Sequence, residues 1–172
     1  KKLLLKMISK KKIISIITAR SGSKGLPKKN IKKLKNIPLL NYTIKAAVKS
    51  NIIDRIILST DSKEIAKIGK KAGAEIPFLR PKKLAMDKSH HPEVVEHAVS
   101  YIENKENIKF DIVLMLQPTS PFRTELHLDQ AIKSFLKNNY DTMISIKNQD
   151  YPPWWMFSLK GNKLNQIFNF KK

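Results

Sequence analysis

Residues 13–30 read IISIITARSGSKGLPKKN, and this stretch decides the fold. Ile13 to Ala19 is an almost unbroken apolar run, the pattern of a parallel strand buried on both faces. The run breaks at Arg20, and the next ten residues hold two glycines, one proline, three lysines and one asparagine. Gly22 and Gly25 allow the backbone to come close to a ligand and to adopt positive φ. Arg20, Lys24, Lys28 and Lys29 can surround a polyphosphate, the arginine through a planar fork and the lysines as point charges. Two common nucleotide loops are excluded. The spacing from Gly22 to Gly25 is too short for G-x-x-x-x-G-K-[ST], and Ser21 and Lys24 break G-x-G-x-x-G.

Outward from this loop, strand and helix patterns alternate. Pro38 opens a helix with Leu40, Ile44, Ala47 and Val48 on one stripe. Arg55 to Thr60 is a second strand, and Asp61 is placed to cap the next helix, with Glu64 completing a capping-box pattern. That helix ends near Gly73, and Glu75 to Leu79 reads as a short third strand. A helix through Val95, Ala98, Val99 and Ile102, a strand from Asp111 to Gln117, a helix through Leu128, Ala131, Ile132 and Phe135, and a fifth strand from Thr142 to Ile146 follow. Gly161-Asn162 between apolar runs predicts a hairpin. The βαβα order implies an α/β fold with a mostly parallel sheet covered by helices on both faces, in three α/β/α layers. Ligands sit at the carboxyl ends of such strands, so the loop at Arg20, the RPKK loop and the QPTSPFR loop should converge on one rim.

The 172 residues fit one domain, 1–172, with a basic N-terminal arm over 1–12. The absence of cysteine excludes disulfides and thiolate metal sites and fits a cytoplasmic protein. No window is long and apolar enough for a membrane span. The net charge of +20 invites a nucleic-acid reading, but the lysines are scattered along the chain instead of sharing one predicted face. The four arginines are more selective. Arg20, Arg80 and Arg123 follow strands, where a fork is needed, and Arg55 starts a strand and reads as structural. His90 and His91 lack the spacing of a helical zinc pair, and His127 reads as a surface residue on a helix. Tyr151, Trp154 and Trp155 read as core or interface.

Taken together, ARSGSKGLPKKN, Ser59-Thr60-Asp61, RPKKLAMD and LQPTSPFR resemble the CMP-sialic acid synthetase family, the cytidylyltransferases that activate nine-carbon acidic sugars. The resemblance runs from about Ile13 to Phe170. It implies a Rossmann-like nucleotidyltransferase that joins CTP to a nonulosonic acid with Mg²⁺, releases pyrophosphate and works as a homodimer. By position it assigns Ala19, Arg20, Ser21, Gly22, Lys24, Lys29 and Asn30 to the CTP phosphates and ribose, with Arg20 and Lys29 catalytic. Arg80, Asp87, Ser89 and His91 fall around the cytosine, His91 standing where many members carry a small residue. Gln117, Thr119, Ser120 and Arg123 face the sugar. The family's metal-binding aspartates would lie beyond Lys172, so the chain is expected to be truncated at its C-terminus, the alternative being a different metal site. The competing readings are a KDO-type cytidylyltransferase, which Gly25 and the neutral PTSP segment oppose, and a non-catalytic basic nucleotide- or nucleic-acid-binding module.

Overall fold

A computed structural model describes residues 11–23, 25–148, 150 and 156–167. The chain falls into two units, Lys1–Tyr140 and Asp141–Lys172, where the sequence reads as one. The first unit is built on β1 (Ile13–Thr18), whose six side chains are all buried. β1 lies between β4 (Arg55–Ser59) and β5 (Ile112–Leu116), parallel to both, with Ile17 opposite Leu58 on one side and Leu116 on the other. The period of two along β1 divides the core. Ile14 and Ile16 join Ile57 under α3 (His91–Glu106), packed on Ala98 and Ile102. On the opposite face Ile17 and Leu58 pack against α1 (Leu39–Lys49) and α2 (Lys63–Lys71), and Ile13 packs against Ile132 of α4 (Glu125–Asn138). The three α/β/α layers are therefore as the alternation implies. Gly69 of α2 lets this layer close on the sheet: a Cβ there would stand 2.1 Å from a Leu58 methyl.

Short local rules account for the joints. Lys35 and Asn36, both with positive φ, turn the small hairpin of β2 (Lys33–Leu34) and β3 (Ile37–Pro38). Asn107 and Asn139 end α3 and α4 in the left-handed conformation. Thr124 and His127 form a reciprocal cap on α4, so His127 has a structural task. Arg55 forks onto Glu75 (2.6 and 2.7 Å) and Glu106 (2.8 and 3.1 Å), the structural role expected of it. At the amino end of β1, Lys12 N donates to Asp111 at 2.8 Å; residues 1–10 of the expected basic arm lie outside the described residues.

Three expectations are corrected. Glu75 to Leu79 is not a strand: only Glu75 bridges Ile57, and Pro77 then removes the donor a ladder would need. Thr142 to Ile146 has the period of a strand but forms none, with Ile144 and Ile146 at 77% and 85% exposure. Asp61 is not the cap of α2; Ser62 is, its hydroxyl accepting from Ile65 N at 3.3 Å. In the second unit the predicted hairpin is present as β6 (Phe157–Lys160) and β7 (Lys163–Gln166), turning at Gly161 with φ 60°. Tyr151, Trp154 and Trp155 lie outside the described residues.

Candidate active site

The carboxyl ends of β1, β4 and β5 open onto one pocket of about 440 Å³. Its walls come from the three loops expected there. From the first loop it takes Arg20, Ser23, Gly25, Lys29 and Asn30, from the segment after β4 Arg80, Asp87, Ser89 and His91, and from the loop after β5 Gln117 and Thr119.

The first loop leaves β1 through Ala19, which is fully buried and extends the ladder with its N–H on Ser59 O at 3.1 Å. Ala19 is thus a core residue and not a wall of the pocket. The peptide group joining Arg20 to Ser21 is pinned at both ends. Asn30 Nδ2 donates to its carbonyl at 2.9 Å, and its N–H donates to Asp61 Oδ1 at 2.8 Å. Ser21 Oγ adds a bond to Asp61 Oδ2 at 2.5 Å. Gly22 and Gly25 have no atom within 4 Å of where a Cβ would stand, and neither has positive φ. The protein's own packing gives no reason for these glycines; Gly25 lines the pocket and Gly22 a second hollow beside it with Arg20 and Asp87. Lys28 is drawn away to Glu64 of α2 at 3.2 Å, and Lys24 lies outside the described residues. Lys29 remains on the wall.

Arg80 is the electrostatic centre. It is 6% exposed, and its Nε donates to Ser59 Oγ at 3.0 Å while Nη2 donates to the Ser59 carbonyl. Burial, with the Arg20 charge adding, pushes its ionisation down to about 10 although Asp61 pulls the other way. A cation this poorly compensated is a standing attraction for an anion. Asp61 itself is opposed by burial, yet the two Ser21 hydrogen bonds and the Arg80 charge hold its carboxyl below the usual range. Arg20 reaches across the mouth to Asp87 Oδ1 at 2.7 Å. Ser89 closes its own turn, its hydroxyl bonding Lys83 O and Met86 N at 3.1 Å.

On the far wall the Gln117 amide meets His91 Nε2 at 3.3 Å and accepts from Thr119 Oγ1 at 3.4 Å. Arg123 does not line the pocket. Its Nη2 donates to Gln117 O at 2.9 Å and Thr43 Oγ1 at 3.2 Å, beneath the loop, where burial lowers its ionisation. Ser120 is exposed and is not among the lining residues. The sequence reading passed over Thr18 and an apolar wall of Leu84, Met86 and Val94, which can face a planar base. It also passed over the part Asp61 plays in the loop. Alternation toward the pocket could have flagged Val94, one turn into α3; the Asp61–Ser21 contact, 40 residues apart, left no local signal.

A cationic, glycine-floored pocket at the carboxyl ends of a parallel sheet is the architecture of Rossmann-like nucleotidyltransferases. The cytidylyltransferase family model matches residues 14–153. Over 159 residues the chain is 35% identical to a pseudaminic acid cytidylyltransferase of Campylobacter jejuni, covering 92% of this chain and 67% of that protein. It is 41% identical over 142 residues to an N-acylneuraminate cytidylyltransferase of Escherichia coli, covering 82% of this chain and 32% of that one. With a CMP-N,N'-diacetyllegionaminic acid synthase of Legionella pneumophila it shares 37% identity, over 88% of this chain and 65% of the relative. The chain therefore belongs to the cytidylyltransferases, in the CMP-sialic acid synthetase family. It spans between about a third and two thirds of the length of these relatives. Among solved structures, a CMP:2-keto-3-deoxy-manno-octonic acid synthetase in complex with CTP superposes with a TM-score of 0.58 over 74% of this chain and 48% of that one. At 17% identity it shares the fold alone. No helix among the described residues is long and apolar enough to cross a membrane.

Proposed function

We propose that the protein transfers CMP from CTP to the anomeric hydroxyl of a nonulosonic acid of the sialic, legionaminic or pseudaminic type. The observation that carries this reading is the pocket itself, ringed by Arg20, Gly25, Lys29 and the undercompensated Arg80. The triphosphate lies over the loop, where it takes Arg20 from Asp87, and Lys29 adds charge. The cytosine takes the wall of Leu84, Met86 and Val94 beside Arg80, and the acceptor lies toward Gln117 and Thr119. The anomeric oxygen forms its bond to the α-phosphorus as the bond from that phosphorus to the β-phosphate oxygen breaks, and the hydroxyl proton passes to water. The electron pair leaves with pyrophosphate, whose charge Arg20 and Lys29 offset. Transfer of this kind needs mainly alignment and charge stabilisation, which this pocket is built to give.

Mg²⁺ would neutralise the phosphates, but the described residues do not form a site for it. They contain no cluster of three or more metal-ligating side chains, and Asp87, the carboxylate on the pocket wall, is engaged by Arg20. No step here depends on the ion. The absence of cysteine supports a reducing, cytoplasmic setting, and the scattered lysines favour small anionic substrates over nucleic acid or membrane. Homodimerisation is an expectation of the family likeness, tested by light scattering on the purified chain.

The reaction is tested by pyrophosphate release from the four nucleoside triphosphates with Mg²⁺ and a panel of nonulosonic acids. Release with CTP and one acceptor is expected. Equal release with all four nucleotides, or CTP binding displaced by unrelated DNA, would sink the proposal.

A further inference from the structure

Asp61 stands outside the pocket wall, yet it is hydrogen-bonded to the nucleotide loop. Both its carboxylate oxygens are spent on Ser21, one on the N–H at 2.8 Å and one on the hydroxyl at 2.5 Å. Ser62 takes the helix-capping duty, so Asp61 is not needed to start α2. Asn30 holds the carbonyl of the same peptide group at 2.9 Å from the other side. A peptide plane clamped at its oxygen and its nitrogen has no freedom left to rotate. The plane runs from the Arg20 Cα to the Ser21 Cα, so its orientation sets the aim of the Arg20 side chain and the path of the chain into Gly22.

We propose that Asp61 is the positioning residue of the nucleotide loop, holding the Arg20–Ser21 peptide plane in its phosphate-receiving orientation before any ligand arrives. The inference rests on the proposed reading of this pocket as a CTP site. Its sign runs against simple electrostatics. A carboxylate beside a polyanion site repels the ligand, so charge alone makes removal of Asp61 favourable to CTP. Preorganisation predicts the reverse, because a loop freed from its clamp must be ordered again on binding.

The test is calorimetric CTP binding together with amide hydrogen exchange at Ser21 in the ligand-free protein. Asp61→Ala is expected to weaken CTP at least tenfold and to accelerate Ser21 exchange at least tenfold. Asp61→Asn keeps an oxygen for the Ser21 N–H and offers an amide to its hydroxyl, so it is expected to stay within threefold of the unaltered protein in both. Ser21→Ala loses one of the two bonds and should fall between them. Asp61→Ala that is folded and binds CTP equally well or more tightly overturns the proposal. If Asp61→Ala does not fold, the ranking of Asp61→Asn above Ser21→Ala decides, and its reversal overturns the proposal. If the unaltered protein binds no CTP, the nucleotide reading fails by itself, and unchanged Ser21 exchange in Asp61→Ala then overturns the clamp as well.

Discussion

Replacing Arg80 by methionine removes a buried charge while keeping most of the volume, and the structure allows its effect to be worked through. Burial lowers the ionisation of the guanidinium to about 10. At 1.36 kcal/mol for each tenfold change in proton affinity, the buried charge costs the ligand-free fold roughly 3 kcal/mol. Methionine relieves that cost but gives up both bonds to Ser59. The Ser59 carbonyl keeps a donor in Ala19 N, so only Ser59 Oγ is left unpartnered, a penalty of about 1–3 kcal/mol. The two effects nearly cancel. Arg80→Met should therefore melt within about 5 °C of the unaltered protein, since 1 kcal/mol moves a chain of this size by about 2–4 °C. CTP affinity should fall at least tenfold, about 1.4 kcal/mol. Differential scanning calorimetry and titration calorimetry on one preparation give both numbers. A loss of more than about 10 °C would show that Arg80 is a structural member of the core. Unchanged CTP affinity would remove it from the site.

Gly69→Ala gains about 1 kcal/mol of helix propensity but drives a Cβ to 2.1 Å from the buried Leu58, a repacking of about 1–3 kcal/mol. A net loss of about 1 kcal/mol is expected in urea unfolding with unchanged m, and a stabilised variant would refute the close approach. His97 packs edge-on against Phe78, and burial, with Arg80 and Lys83 adding, holds its ring below the ordinary histidine range. The unfolded chain therefore binds the proton more tightly, so stability is full above the unfolded value near pH 6.5 and falls as the pH drops below it. His97→Phe should lose less stability than the unaltered protein between pH 7.5 and pH 5.5, and parallel losses would contradict this. Arg123→Ala unpins the Gln117 carbonyl without touching the pocket wall, so the KM for the acceptor should rise while the Kd for CTP stays constant; an equal loss of both would place Arg123 elsewhere.

Residues 13–30 carried most of what was legible. A run such as IISIIT has few alternatives to a strand buried on both faces, and a loop with two glycines and several cations has few alternatives to an anion cradle. Helices announced by a stripe and a cap were equally readable. The strands at Arg55 and Asp111 and the hairpin at Gly161 were readable too, whereas the expected strands at Glu75–Leu79 and Thr142–Ile146 were not formed. The period of two in Thr142–Ile146 is genuine, but a ladder needs a second edge, and that lies outside the local sequence. At the site, the residue types were legible and their couplings were hidden. Asp61 and Ser62 are both good caps in TDSK, and only Ser21, 40 positions away, decides between them. Arg123 follows a strand as Arg20 does, but its fork is consumed by the Gln117 backbone, a choice made by the depth of the loop and not by its composition.

The central place of β1 has a consequence for how the chain is made. Its first partner, β4, is met by Asp54 bonding Ile13 across 41 residues, whereas closure onto β5 brings Lys12 to Asp111 across 99. At about 5–20 residues per second, the apolar edge of β1 waits on the order of several seconds on the ribosome before its second neighbour emerges. An uncovered edge of isoleucines is a template for aggregation during that interval. A net charge of +20 opposes association of such chains through like-charge repulsion during that interval.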